Sequence, residues 1–274
     1  MLVIGEKINV MSKTIGPAMK ERDPGPLRDM ALRQIEGGAD VLEVNLGPAT
    51  KGGPEMMEWV VRTIQEVAPG TRLCLDTMNP DAMRAGLALC ELQPIINSTS
   101  AERARLETFL PLAKEFDAEF IGLAMTEAGV SRDANERLMA ATEIMSAMIE
   151  FDVPLDRVYL DPLLLPISVA QHQAGEALEA VAMFKQLNDP PLKTVVGLSN
   201  IYNGCPEHVK APLAAAFLTL LIHAGLDAAI MDSNDELQMA VVRADGATLL
   251  GTDVIEKSIA ILKNETLYCS SYLD

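Results

Sequence analysis

The sequence predicts an α/β fold, a (β/α)8 barrel, on three observations. Short apolar runs alternate about eight times with longer helical patterns, with no composition break or linker between them. Most of these runs end in a carboxylate or an amide. No GxGxxG or GxxxxGK follows any of them, so the phosphate-cradling signals that often accompany the structural alternative, an open doubly wound sheet, are missing. The 274 residues, 49% hydrophobic, suffice for one large core and fit one domain over residues 1–274 better than two small ones.

The elements follow in order. Leu2 to Glu6 is a first strand, followed by an irregular loop and a helix from Pro26 to Gly37 closed by the pair Gly37 and Gly38. Val41 to Leu46 is a second strand, ended by Asn45, Gly47 and Pro48, and the loop through Lys51, Gly52 and Gly53 leads to an amphipathic helix from Pro54 to Val67. Arg72 to Asp76 is a strand ending in an acid, Pro80 to Cys90 is helical, and Pro94 to Asn97 ends in an amide before Ser98 and Thr99. Ala101 to Phe116 is helical, Phe120 to Met125 is a fifth strand, and Asp133 begins a helix reaching Phe151. Arg157 to Asp161 again ends in an acid, capped by Pro162, and a helix over Val169 to Leu187 follows. Lys193 to Gly204 begins as a buried β-branched strand and turns abruptly to small polar residues. Ala211 to Ala224 and Ala228 to Met231 complete the last helix and strand, and Asp235 to Leu249 and Val254 to Leu262 read as helices before a polar tail.

Charge and cysteine usage exclude several function classes. The 22 Lys plus Arg face 39 Asp plus Glu, and a net charge of −17 argues against nucleic acid or an anionic membrane as partner. Cys74, Cys90, Cys205 and Cys269 lie far apart with no CxxC or Cys/His cluster, so no zinc site or disulfide framework is expected. No basic segment followed by a long apolar run opens the sequence and no apolar run reaches membrane length, so a cytoplasmic location is expected. His172, His208 and His223 read as surface or packing residues, Met56, Met57, Met139, Met145 and Met148 as core filling, and Glu102, Arg103, Arg105 and Glu107 as a solvated helix face.

A barrel directs the C-terminal strand ends into one mouth. Those ends are Glu6 and Asn9, Glu43 and Asn45, Asp76, Asn97, Asp161, Asn200 and Asp232, with Ser199 and Asn203 projecting beside Asn200. Any one of them alone reads as well as a cap or a buried core partner. Together they are rich in carboxylates and amides, with no His, Cys or Lys nucleophile at a strand terminus. That set disfavours covalent catalysis and three-ligand zinc catalysis, and it suits a neutral heterocycle carrying several N–H donors and ring acceptors.

Six motifs, taken in order, carry a resemblance: IGEKIN (Ile4 to Asn9), EGGADVLEVNLGP (Glu36 to Pro48), LCLDTMN (Leu73 to Asn79), INSTSAER (Ile96 to Arg103), YLDPLLLP (Tyr159 to Pro166) and VVGLSN (Val195 to Asn200). The chain resembles, nearly end to end, the pterin-binding methyltransferase family, above all its tetrahydrofolate- and corrinoid-dependent members. The wider superfamily, with dihydropteroate synthase and the folate module of methionine synthase, consists of barrels holding a pterin at the mouth. The resemblance implies that Asp76, Asn97 and Asp161 hydrogen-bond the pterin ring, with Ser199, Asn203, Glu6 and Glu43 completing the candidate pterin-contacting set. It implies that Asn200 stands near N5 of the folate as the catalytic residue, and that a methyl group passes between N5 and the cobalt of cobalamin. Since no DxHxxG corrinoid motif is present, the cobalamin is expected on a separate corrinoid protein. A homodimer is expected by resemblance, and no resident metal. The physiological direction stays open. Glu43 in place of an aspartate, and Tyr202-Asn203 in place of a smaller residue and glutamine, depart from the family pattern. The alternatives are a dihydropteroate synthase-like enzyme, against which the absence of a lysine just after GLSN counts, and a non-catalytic folate-binding protein.

Overall fold

The apolar runs become the staves of a closed parallel barrel in the computed structural model, which describes residues 1–244, 246 and 252–273. The strands are β1 (Leu2–Asn9), β2 (Val41–Gly47), β3 (Arg72–Thr77), β4 (Ile95–Ser100), β5 (Glu119–Leu123), the two-stranded hairpin β6 (Met125–Thr126) and β7 (Gly129–Val130), β8 (Val158–Asp161), β9 (Lys193–Gly197) and β10 (Ala228–Met231). Around the barrel they run β1-β10-β9-β8-β5-β4-β3-β2, so the first strand closes against the last. This is the (β/α)8 architecture that the alternation predicts.

Side chains alternate in and out along each strand, and the inward ones stack in layers. Arg72, Glu119 and Lys193 open their strands at the N-terminal end. Above them Ile4, Val41, Cys74, Ile95, Ile121, Tyr159, Val195 and Ala228 fill the middle of the barrel in one buried cluster. Two residues further on, the same strands present Glu6, Glu43, Asp76, Asn97 and Asp161. The β-branched and aromatic middle layer therefore forms a dry floor beneath a polar mouth.

Helices cover the outside: α1 (Ile15–Glu21), α2 (Pro24–Gly37), α3 (Gly53–Val67), α4 (Pro80–Leu87), α5 (Arg103–Glu115), α6 (Ala134–Glu150), α7 (Ile167–Ala170), α8 (Gln173–Phe184), α9 (Glu207–Ala224), α10 (Glu236–Arg243) and α11 (Asp253–Leu262). Their starts are encoded locally. Asp23, Asn79, Asp133 and Asp235 each accept a hydrogen bond from a first-turn N–H of α2, α4, α6 and α10. Gly38, at φ +110°, ends α2 in the left-handed region where a side chain would be strained. In α9 Leu213, Phe217, Leu218 and Leu221 are fully buried, each contributing about 1.5–3 kcal/mol relative to exposure.

Several boundaries differ from the sequence reading. The first strand runs to Asn9, not Glu6, and the loop before α2 contains α1. The segment read as one helix over Val169 to Leu187 is split into α7 and α8, and the fifth strand stops at Leu123 before the β6–β7 hairpin. The helix read from Asp235 to Leu249 is α10 as far as Arg243; positions 245 and 247–249 lie outside the described residues. Met57 and Met148 are core residues, but Met139 is 65% exposed on the outer face of α6. The tail is less polar in its packing than in its composition, since Tyr268 and Tyr272 lie against the cluster around α9. Gln171 ties this tail down, its Nε2 donating to the Ile261 and Thr266 carbonyls at 2.9 and 2.7 Å and its Oε1 accepting from Tyr268 N at 2.9 Å.

Candidate active site

The C-terminal strand ends enclose a cavity of about 540 Å³. Four carboxylates (Glu6, Glu43, Asp76, Asp161), four amides (Asn9, Asn45, Asn97, Asn200), Ser12, Ser199 and Lys7 line it, with Met30, Leu123, Leu163 and Ile230 as apolar walls. Strand periodicity explains the single contributions of β3, β4 and β8. In β1 two successive residues, Glu6 and Lys7, reach the cavity, and the pairing register with β2 shifts at that point, between Gly5 and Ile8. Asn200 and Ser199 sit on the 3-10 turn Leu198–Tyr202 directly after β9. A Cβ at Gly197 would lie 3.0 Å from Asn200 Nδ2, so glycine leaves the amide room.

Electrostatics divide the carboxylates by partner. Glu43 is buried and accepts from Asn97 Nδ2 at 2.8 Å; burial, then the neighbouring Asp76 and Glu6 charges, hold its carboxyl well above the usual range. Burial pushes Asp76 up to about 7 against the pull of the Arg105 guanidinium, and Asn45 Nδ2 donates to its Oδ2. Asp161 is likewise pushed up to about 7 by burial, opposed by the Leu163 N–H at 2.7 Å and by the charge of Arg137. Leu163 holds a left-handed φ of +63°, and behind it the fully buried Arg137 donates from Nε to the Pro162 carbonyl at 2.6 Å. Among the described residues no Lys or Arg hydrogen-bonds Glu43, Asp76 or Asp161. Each accepts a neutral N–H from the protein, and a carboxylate has further lone pairs with which to accept from a ligand in the cavity.

The second charge cluster is paired. Lys7 Nζ lies 2.9 Å from Asp232 Oδ2 and 3.5 Å from Glu6 Oε1. Burial works against the charge of Lys7, but its bonds to Asp232 and Glu6 outweigh it and raise its pKa. Glu6 is raised by burial and pulled back by Lys7 and by a hydrogen bond with Ser199.

Seven of the eight candidate residues, Glu6, Glu43, Asp76, Asn97, Asp161, Ser199 and Asn200, meet at this cavity. Asn203 stands outside its lining: it is exposed, reaches Asn200 Oδ1 at 3.5 Å and accepts from Ser168 Oγ at 3.2 Å, because the turn carrying Asn200 bends the chain outward. Asp232 stands beside the cavity as the partner of Lys7. Sequence reading missed Lys7, which stands inside β1 short of its end at Asn9 and still reaches the cavity. The polar pair within IGEKIN was the available signal.

Comparison with known proteins bears directly on this cavity. A family model described as pterin binding enzyme matches residues 5–232, from within β1 to the residue after β10. The chain belongs to the pterin-binding enzyme family. Over 92% of both chains it is 29% identical to methylcorrinoid:tetrahydrofolate methyltransferase from Eubacterium limosum. It is also 26% identical to the methionine synthases of Mycobacterium leprae and Mycobacterium tuberculosis, over 85% and 87% of this chain but 20% and 21% of theirs. The chain spans about a fifth of the length of those two relatives. For a pterin-binding enzyme the donor and acceptor inventory is apt: a pterin presents a 2-amino group and ring N–H donors to carboxylates, and a carbonyl and ring nitrogens to amide N–H groups. Carboxyls at about 7 carry or release a proton near neutrality and so serve either edge.

Proposed function

We propose that this pterin-binding enzyme is a methyltransferase that moves a methyl group between N5 of tetrahydrofolate and the cobalt of a corrinoid held by a separate protein. The observation that carries the reading is the set of carboxylates, buried Glu43 and Asp161 and half-buried Asp76, facing the same cavity as the amides of Asn97 and Asn200 without a hydrogen-bonded cation among the described residues. Asp76, Asn97 and Asp161 hold the ring edge; Glu43 braces Asn97 from behind through the 2.8 Å bond. Asn200, on its turn after β9, places an amide where charge changes at N5. Transfer is direct and in line, so the protein's work is positioning and charge stabilisation without a covalent intermediate.

The direction we favour is methylcorrinoid to tetrahydrofolate, supported by the name of the relative matched over nearly its whole length. The partner is a corrinoid protein docking over the mouth, and the barrel acts as one domain, as a homodimer, in the cytoplasm. Three large apolar residues support a docking rim. Met11 after β1, Met78 after β3 and Val169 after β8 are 85%, 63% and 83% exposed. In the strand order these positions are spread around the whole opening. No helix among the described residues is long and apolar enough to cross a membrane.

The test mixes the protein with tetrahydrofolate and methylcobalamin, and separately with methyltetrahydrofolate and cob(I)alamin, following cobalt absorbance. Transfer in at least one mixture is expected. Asn200→Ala should lower turnover by about 100-fold while folate affinity changes only a few-fold. Equal loss of both would favour a folate-binding protein without this chemistry.

A further inference from the structure

Methyl transfer at N5 moves a proton as well as a methyl group, and neither an amide nor a serine hydroxyl is an acid or base suited to that task near neutral pH. We infer that Glu6 exchanges this proton, held in place by Lys7 and Asp232; the inference rests on the methyltransferase reading above. Glu6 lines the cavity that Asn200 lines, and Ser199, the residue before Asn200, hydrogen-bonds its carboxylate. On its other side Lys7 bridges it to Asp232, at 3.5 and 2.9 Å. Glu6 is 14% exposed and Lys7 beside it 37%, so the carboxylate has solvent within reach on its Lys7 side.

The remaining carboxylates of the mouth are occupied differently. Glu43 takes the Asn97 amide, Asp76 that of Asn45 and Asp161 the Leu163 N–H. Glu6 alone among the four stands beside the turn that carries Asn200 and also has an ion-pair partner. The titratable groups that act on it are Lys7 on its own strand and Asp232 after β10, and its charge in turn raises Glu43 on β2 and Tyr202 on the turn after β9. Burial raises its pKa, and Lys7 and the Ser199 hydrogen bond temper the rise.

Toward the folate, the N5 lone pair forms the new N–C bond, the cobalt–carbon pair stays on cobalt, and cobalt falls from Co(III) to Co(I). N5, now bearing four substituents, gives its proton to the Glu6 carboxylate, which passes it to water at the cavity entrance. In reverse, protonated Glu6 gives its proton to N5 of methyltetrahydrofolate. The N5–methyl pair then returns to nitrogen as the Co(I) pair forms the cobalt–carbon bond.

The experiment measures both directions with free cobalamins across pH for the wild type, Glu6→Gln and Glu6→Asp, with tetrahydrofolate affinity by calorimetry. Wild-type transfer from methyltetrahydrofolate should fall as pH rises through the Glu6 pKa, and transfer to tetrahydrofolate should rise. Glu6→Gln should lose about 100-fold or more in kcat together with that limb, at a folate Kd within about threefold of wild type. Glu6→Asp should recover part of the rate with the limb shifted. Wild-type rate and limb in Glu6→Gln would overturn the inference, as would an equal loss of affinity and rate. Should the glutamine variant not fold, an unshifted limb at full rate in Glu6→Asp overturns it instead. A wild type that binds folate but transfers in neither direction sinks the reaction reading itself, before any variant is made.

Discussion

The two ends of this barrel treat buried carboxylates in opposite ways. At the N-terminal end Glu119, only 8% exposed, is clamped by Arg72 and Lys193, and Lys193 Nζ also sits 4.6 Å above the Tyr159 ring. Burial raises the Glu119 pKa, but its two cations outweigh that and hold it below the usual carboxylate range. At the mouth Glu43 and Asp161 are as deeply set, and Asp76 half-buried, without such clamps, and burial wins. The same strands thus carry a compensated charge at one end and uncompensated ones at the other. The first stabilises the barrel; the second keeps acceptors free for a ligand at some expense of stability, as functional sites commonly do.

The contrast breaks first at Glu119. Replacing it by alanine leaves Arg72 and Lys193 facing each other without their acceptor, and should cost about 3–5 kcal/mol in urea unfolding. A loss under about 1 kcal/mol would mean that the clamp is no more than a surface-grade pair.

The pH dependence sharpens the contrast, because the two ends have opposite signs. Glu119, with its depressed pKa, contributes stability that is present above the unfolded value and lost as pH falls through the folded value. Asp76 and Asp161, raised to about 7, contribute stability that is fully present below the unfolded value and lost as pH rises through about 7. Asp161→Asn and Asp76→Asn should therefore flatten the stability profile between about pH 4 and 7 and raise Tm at pH 8 by roughly 2–4 °C. Folate binding should weaken in both. Thermal melts across pH check the sign: a Tm that falls equally at pH 5 and pH 8 would indicate lost packing, with no part for titration.

The smallest effect belongs to Asn203. Exposed and outside the cavity lining, it should tolerate alanine with turnover and folate affinity within about twofold of wild type. A larger loss in steady-state kinetics would mean that its 3.5 Å approach to Asn200 Oδ1 orients that amide.

What was legible in the sequence was whatever strand periodicity carries. An apolar run ending in Asp76, Asn97 or Asp161 announces both the strand and the direction in which its last side chain points, so those residues were placed at the mouth from pattern alone. Asn203 failed because the pattern stops where the strand stops, and a turn has no period to extrapolate. Lys7 failed for the opposite reason: a register shift inside a strand sends two neighbours toward the same space, and nothing in a two-residue alternation announces it. Arg105 reads as part of a solvated helix face, yet it is half-buried and donates to the Ser98 carbonyl at 2.7 Å; its proximity to Asp76, and that of Arg137 to Asp161, exists only once α5 and α6 are packed against the barrel.

The pairing of β1 with β10 also sets a clock. Leu2 waits for Ala228 before its outer backbone groups find partners, so during synthesis at about 5–20 residues per second the first strand exists for roughly ten seconds or more as an open edge. Barrel closure is the most non-local step the chain makes, and it comes last. A pause in translation before β10, or a slowly folding α9, prolongs the interval in which an edge meant for the chain's own last strand is open to a neighbour's.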